Sequence, residues 1–181
     1  KGTRPITARV KGALFSILMA DLPGATFLDL FAGTGAVGIE ALSRGADHAV
    51  FCERSHRALE VLRHNLVLTG LLGRSELVHG DAFQYLAHAP RQEQFDIVYV
   101  APPQYKELWL KALLELDAPG LLSPSGQVVV QIHPKEAAEV HLRFLQQVDQ
   151  RNYGSTLQLF YARRPHPAPS SQPTSPAAED A

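Results

Sequence analysis

The sequence predicts a single α/β domain in which a mostly parallel sheet is covered by helices on both faces. Apolar segments of strand length alternate with amphipathic helical segments over most of the 181 residues. A glycine-rich turn follows the first strand, and an acidic or otherwise unusual residue ends each of the first four strands. A chain of this length is normally one domain with a full hydrophobic core.

The first two elements are predicted from a helix cap and a glycine pattern. Thr7 is placed to cap a helix over residues 8–20, and the apolar strand at residues 27–31 follows. The turn after that strand carries Gly33, Gly35 and Gly38, the spacing of a nucleotide-binding turn. A second helix begins at about residue 36, so its free N–H groups would point at a ligand.

The rest of the chain continues the alternation of strand and helix. The apolar pattern predicts the elements below in chain order: helix to residue 43, strand 48–53, helix 55–68, strand 76–79, helix to 89, strand 95–100, helix 106–116, strand 127–132, helix 134–145, and a hairpin of strands 146–151 and 156–162. We predict one domain over residues 1–163. Residues 164–181 are rich in Pro, Ser and Ala without an apolar period and are predicted to be disordered.

Polar and special residues meet at one edge of the predicted sheet. Asp29 lies in the first strand, Glu53 ends the second, Asp81 follows the third, and Pro102 and Pro103 follow the fourth. In parallel α/β sheets, ligands bind beyond the carboxyl ends of the strands. We therefore expect a ligand site there.

Two ligand classes fit the glycine turn and the acid about 20 residues beyond it, namely NAD(P) and S-adenosylmethionine. Both carry a ribose whose hydroxyls Glu53 could hold. A dinucleotide also brings an anionic pyrophosphate, which the Asp29 carboxylate would repel. S-adenosylmethionine brings an ammonium and a sulfonium, which the carboxylate favours, so Asp29 favours this ligand.

Bulk properties narrow the class of protein. The formal net charge of −1 gives no general nucleic-acid signal, so any contacts with RNA must be local. Cys52 is the only cysteine, which excludes an intramolecular disulfide and suits a cytoplasmic protein. No apolar run approaches the roughly 20 residues that span a bilayer. The eight histidines have no metal-ligand spacing, so we expect no metal and no membrane partner.

Two stretches carry a resemblance to a known family. They are TRPITARVKGALFSIL at residues 3–18 and LDLFAGTGAVGIEALSRGA at residues 28–46. With them the chain resembles, over residues 3–163, the class I S-adenosylmethionine-dependent methyltransferases, and more narrowly the RsmD family of bacterial 16S rRNA (guanine-N2) methyltransferases. The resemblance implies a Rossmann-like, seven-stranded sheet with an antiparallel last strand. It also implies methyl transfer to a guanosine N2 amine, with 16S rRNA or the assembling small ribosomal subunit as partner.

The resemblance further implies a set of cofactor-binding residues. The first acid and the glycines would line the methionine end, the second acid would hold the ribose, and the third acid with the following N–H would bind the adenine. The expected product is S-adenosylhomocysteine. The full set is Asp29, Phe31, Gly33, Gly35, Glu53, Arg54, Asp81 and Ala82.

The candidate catalytic loop departs from the family pattern of Asn or Asp, two prolines and an aromatic. Its residues are Ala101, Pro102, Pro103, Gln104 and Tyr105. A guanine amine is a poor nucleophile, and an acceptor on its N–H groups favours attack, but the alanine side chain cannot accept. A backbone carbonyl and Gln104 could replace that acceptor, the nucleophile could differ, or the domain could bind the cofactor without transferring methyl. Tyr105 is the expected stacking platform for the base.

The basic N-terminal segment is the candidate RNA contact. Arg4, Thr7, Arg9 and Lys11 would meet phosphates. Three functions thus stay open: an rRNA methyltransferase, a catalytically silent S-adenosylmethionine-binding module and, less favoured, an NAD(P)-dependent oxidoreductase.

Overall fold

The computed structural model describes residues 6–92 and 94–166. Over these residues the chain forms one sheet flanked by α-helices, with two short 3₁₀ turns at Leu72–Arg74 and Pro134–Glu136. The elements in chain order are α1 (Ala8–Leu18), β1 (Thr26–Asp29), α2 (Ala36–Ser43), β2 (His48–Glu53), α3 (His56–Leu68), β3 (Ser75–His79), α4 (Ala82–His88), β4 (Phe95–Val100), α5 (Leu108–Leu116), β5 (Leu122–Ile132), β6 (Leu145–Tyr153) and β7 (Thr156–Arg163).

The sheet has seven strands in the order β3-β2-β1-β4-β5-β7-β6. The first five pair in parallel, and β7 runs antiparallel to both of its neighbours. This confirms the predicted mostly parallel sheet with an antiparallel last strand. The order reverses at β1, which lies between β2 and β4. A ligand crevice is expected at such a reversal.

Helices cover both faces of the sheet, as predicted. On one face α1, α2 and α3 pack in a core that includes Phe15, Leu62 and the β1 residue Phe27. On the other face α4 and α5 pack in a core that includes Trp109. Successive strand residues point to opposite faces, so the side chains of β1 divide between the two cores. Among the described residues no helix is long and apolar enough to span a membrane.

The predicted helix over residues 134–145 is wrong. Only the 3₁₀ turn forms, and the chain then runs irregularly to β6. Val140, Leu142 and Phe144 recur with a period of two, which suits extended chain that packs one side inward. The Asp117 carboxylate accepts hydrogen bonds of 2.6–2.8 Å from the backbone N–H groups of residues 143–145, which replace helical bonds.

The end of the predicted domain is tied to the sheet. Arg164 donates its backbone N–H to the Phe144 carbonyl at 2.7 Å and its Nε–H to the Leu145 carbonyl at 3.0 Å. Ordered contacts thus continue one residue past the predicted boundary at residue 163. Residues 167–181, for which we predict disorder, lie outside the described residues.

Each of the three glycines in the turn is required by the structure, but not for the same reason. Gly33 and Gly35 adopt positive φ angles of 56° and 87°, which glycine allows at little cost. Gly38 lies in α2, where an added Cβ would be 2.3 Å from Cε1 of Phe51 in β2. Gly38 therefore lets α2 pack closely on the sheet.

Gly38→Ala should destabilise the fold, because the methyl group must displace the buried Phe51 ring. We expect a loss of about 1–3 kcal/mol in the free energy of unfolding, measured by urea denaturation. Gly12→Ala is the matched control, since Gly12 is also helical and an added Cβ there meets nothing within 4 Å. That change should raise stability by about 0.5–1 kcal/mol. Equal effects of the two changes would contradict this account of α2 packing.

Candidate active site

A cavity of about 510 Å³ opens at the carboxyl edge of the sheet. This volume is in the usual range for a small-molecule site. The cavity extends along the ends of five strands, because residues of β1, β2 and β5 and residues following β3 and β4 line it. Its polar lining residues are Asp29, Thr34, Cys52, Glu53, Arg54, Asp81, Tyr99, Lys106 and Gln131.

Asp29 is a buried acid at the centre of this edge. Its side chain is 1% exposed, and Oδ2 accepts the Gly38 N–H at 3.1 Å. Oδ1 is buried and has no hydrogen-bond partner among the described residues. Burial raises the pKa of the Asp29 carboxyl from 3.8 to about 7, the Gly38 bond opposes this, and the nearby Glu53 charge adds to it. A buried acid with a free oxygen is well suited to a cationic ligand group.

Glu53 ends β2 and holds the glycine turn. Its Oε2 accepts the Gly33 N–H at 2.7 Å, and its Oε1 accepts the Ser55 N–H at 2.6 Å. Two backbone amides around the start of α2, those of Gly33 and Gly38, are therefore occupied by carboxylates. An anionic pyrophosphate would face both acids instead of free amides, so the geometry disfavours a dinucleotide.

The third acid, Asp81, caps α4. Its Oδ1 accepts the backbone N–H groups of Phe83 at 2.9 Å and of Gln84 at 3.2 Å. Ala82 also lines the cavity. Phe83 makes an edge contact with Phe31, with ring centroids 6.2 Å apart. These residues give the β3 end of the cavity an apolar wall beside one carboxylate.

Most of the predicted cofactor-binding residues meet in this cavity. Those that line it are Asp29, Phe31, Gly33, Glu53, Arg54, Asp81 and Ala82. Gly35 does not line it, because this glycine turns inward to the protein, where an added Cβ would be 2.1 Å from Cδ1 of Leu62. Its role is thus to let the turn pack against α3.

The candidate catalytic loop is only partly in the cavity. Ala101 and Pro103 line it, whereas the buried Pro102 and both Gln104 and Tyr105 do not. Tyr105 has a positive φ of 60°, donates its N–H to Glu136 Oε1 at 2.8 Å, and is 64% exposed. Its ring centroid is 5.8 Å from that of His133. The expected base platform is therefore not among the residues that line the cavity.

The predicted RNA-contacting residues lie on and before α1. Thr7 caps this helix, as predicted, and its Oγ1 accepts the Val10 N–H at 3.3 Å. Arg9 is exposed, and Lys11 pairs with Glu40 at 3.4 Å. Arg4 lies outside the described residues. Ile6 lines the cavity, so the start of this segment borders the candidate active site.

Sequence reasoning missed five polar residues of the cavity: Thr34, Cys52, Tyr99, Lys106 and Gln131. Tyr99 carries the one hydroxyl in the apolar run of β4, and Gln131 interrupts the apolar run at the end of β5. A polar residue at the carboxyl end of a buried parallel strand is a usable signal in both cases. The exposed Lys106 gave no such signal in the sequence.

The comparisons with known proteins agree with this geometry. A family described as Conserved hypothetical protein 95 matches residues 1–162. A Bacillus subtilis protein named "Putative rRNA methyltransferase YlbH" is 40% identical over 136 residues, which are 74% of this chain and 73% of the relative. Ribosomal RNA small subunit methyltransferase D of Haemophilus influenzae is 33% identical over 132 residues, which are 72% of this chain and 68% of that protein.

A solved structure of a conserved hypothetical protein from Streptococcus pyogenes has a TM-score of 0.78 and 29% identity. The match covers 86% of this chain and 96% of that one. The RsmD-like resemblance stated from the sequence is thereby confirmed, and the chain belongs to the family described as Conserved hypothetical protein 95.

Proposed function

We propose that this protein transfers a methyl group from S-adenosylmethionine to the exocyclic N2 amine of a guanosine in 16S rRNA, in the cytoplasm. The observation that carries the proposal is the row of three acids, Asp29, Glu53 and Asp81, along one cavity at the reversal of strand order. The names of the relatives as rRNA methyltransferases support the substrate class.

The residues present fit this cofactor. The unpartnered Asp29 Oδ1 suits its cationic methionine end, and the open space at Gly33, where a Cβ would meet no protein atom within 4 Å, admits a close approach. Glu53 retains lone pairs on both oxygens for the ribose hydroxyls. Asp81 Oδ2 accepts no hydrogen bond from the described residues and could accept from the adenine amine. Phe31 and Phe83 supply an apolar wall beside it.

Bound S-adenosylmethionine would supply an electrophilic methyl group to the amine nitrogen, and S-adenosylhomocysteine and one proton would be released. The contribution of the protein to this step is to position the amine and the methyl group relative to each other. Ala101 has no side-chain acceptor, and Gln104 lies outside the cavity. The loop residues that line the cavity, Ala101 and Pro103, offer only their backbone carbonyls as acceptors. Alignment of the two reactants can by itself provide several kcal/mol of the rate enhancement.

The N-terminal segment would bring the RNA to the cavity. Arg9 is exposed in the first turn of α1, and Ile6, two residues before this helix, lines the cavity. Contacts between such basic residues and phosphates would be sensitive to salt. We include Arg4, Thr7 and Lys11 in this proposed interface.

Glu53→Gln should weaken S-adenosylmethionine binding by about 10- to 100-fold, because charge-assisted hydrogen bonds to the ribose become neutral ones. Isothermal titration calorimetry measures the affinity directly. Glu60→Gln is the matched control, since Glu60 is an exposed acid on α3 that does not line the cavity. The Glu60→Gln variant should bind S-adenosylmethionine with the same affinity as the unchanged protein. Tight binding of NAD without binding of S-adenosylmethionine would contradict the proposed cofactor.

Transfer of labelled methyl groups to small-subunit RNA tests the reaction itself. RNA and partly assembled small subunits without the modification should both be offered, and the labelled nucleotide should be mapped. We expect label on a guanosine N2 amine. Binding of S-adenosylmethionine with no transfer to either substrate would favour the silent module, which the alanine at residue 101 makes the second candidate.

The affinity for S-adenosylmethionine should fall as the pH falls below 7. Burial raises the pKa of the Asp29 carboxyl to about 7, so below that pH the group is protonated and loses its attraction for a cation. Binding then requires release of the proton, and the affinity should decrease by up to about tenfold per pH unit between about pH 7 and 5.5. Calorimetry in buffers of different ionisation enthalpy counts the released protons.

Asp29→Asn provides the control for this titration. The variant should bind weakly with little dependence on pH over the same range, because the amide does not titrate. Glu53 and Tyr99 also face the Asp29 carboxyl and remain in the variant. A pH slope that persists unchanged in Asp29→Asn would therefore assign the titration to another group and refute the role of Asp29.

A further inference from the structure

Three buried side-chain oxygens have no hydrogen-bond partner among the described residues, and they lie on one face of the sheet. They are Asp29 Oδ1 on β1, the Tyr99 hydroxyl on β4 and Gln158 Oε1 on β7. Asp29 and Tyr99 are register partners, and residues 97 and 99 of β4 and 160 of β7 belong to the core beneath α1. Buried polar groups are almost always paired, so such a concentration at one sheet edge marks a site built for a ligand.

Gln131 lies between these residues and is the polar side chain that β5 adds to the cavity. Val130 is the register partner of Val100, which places Gln131 beside Ala101 at the next position along the two strands. Gln131 is also the register partner of Gln158 on β7. The sheet order therefore puts Gln131 one strand beyond the candidate catalytic loop, on the side away from the acids.

The amide of Gln131 is oriented by a neighbour. Gln158 is fully buried and donates its Nε2–H to Gln131 Oε1 at 3.0 Å. With its oxygen engaged, Gln131 has a free amide N–H group, because Nε2 makes no hydrogen bond within the described residues. A fixed N–H donor on the wall of a cavity selects for an acceptor such as a carbonyl oxygen.

We propose that Gln131 recognises the acceptor base, donating from Nε2 to its C6 carbonyl oxygen, and that Gln158 is the positioning residue which holds this donor. The inference rests on the proposed function and adds the specificity of its acceptor site. On guanine the C6 oxygen and the C2 amine flank N1 on one edge. When a base binds to Gln131 on β5, its C2 amine thus points toward Ala101 on the neighbouring strand β4. The proposed cofactor lies on the far side of Ala101, toward β1. Adenine has an amine at C6, which would meet the donor unfavourably.

The test uses an acceptor base that keeps the reacting amine and replaces the recognised oxygen; N1 also loses its proton in this base, so the assignment to Gln131 comes from the variants below. In 2,6-diaminopurine the C2 amine remains and an amine replaces the C6 oxygen. Small-subunit RNA with guanosine or 2,6-diaminopurine at the mapped target position is methylated under identical conditions, and kcat/KM is compared. The unchanged protein should prefer guanosine by at least about 100-fold, because the wrong base leaves a buried donor facing a donor.

Substitutions at Gln131 should change this preference. Gln131→Ala should lower kcat/KM for guanosine by about 10- to 100-fold and remove most of the preference. Gln131→Glu replaces the donor with an acceptor and should bring the two bases to comparable rates or reverse their order. Gln158→Met should weaken the preference with Gln131 intact. Calorimetric affinity for S-adenosylmethionine should stay within about twofold in all variants, since Gln131 contacts the acceptor side.

Gln127→Ala is the matched control. Gln127 lies on the same strand four residues before Gln131, donates its Nε2–H to Asp21 Oδ2 at 2.9 Å, and does not line the cavity. It should keep the preference of the unchanged protein. A wild-type preference in Gln131→Ala would overturn the inference and leave the proposed function standing. A protein that transfers methyl to neither RNA would overturn both, and thermal unfolding of each variant separates loss of recognition from loss of fold.

Discussion

A carboxyl group buried where the strand order reverses is the constraint on which the site depends. Asp29 is held by one backbone N–H, and burial raises its pKa from 3.8 to about 7. Because the folded pKa is above the unfolded one, its contribution to stability is greatest in acid and is lost as the pH rises from about 4 to about 7, on the order of 4 kcal/mol. The buried charge therefore destabilises the fold near neutral pH, and a bound cation would offset this effect.

The glycine turn explains how a general nucleotide-binding geometry is adapted to a cationic ligand. Of its three glycines, only Gly33 lines the cavity, while Gly35 and Gly38 permit packing against Leu62 and Phe51. The amides of Gly33 and Gly38, which could have met a phosphate, are donated to the carboxylates of Glu53 and Asp29. The discriminating feature is thus the pair of acids that accept from the turn, and the turn alone leaves the ligand class open.

The sequence was sufficient to predict the fold and the site wherever local patterns and sheet topology determine them. Strand and helix periodicity predicted the sheet, and the carboxyl-edge rule brought Asp29, Glu53 and Asp81 together. It was insufficient where a distant side chain decides: Asp117 binds the backbone of residues 143–145 in place of a helix, and Glu136 accepts the backbone N–H of Tyr105, which does not line the cavity. The pairing of Gln131 with Gln158 likewise joins residues 27 positions apart and requires the register of two strands.

The alanine at residue 101 and the glutamine at residue 131 belong to one chemical problem. An aromatic exocyclic amine reacts in line only if its base is held in one orientation. A loop without a side-chain acceptor leaves that orientation to other contacts. The neighbouring strand offers a fixed amide donor at the same height on the sheet. Holding the far edge of the base restricts rotation in its plane, so the amine is directed toward the cofactor side even though Ala101 does not bind it. Recognition at β5 and alignment at β4 would therefore be one function, divided between two strands because parallel pairing places their ends side by side.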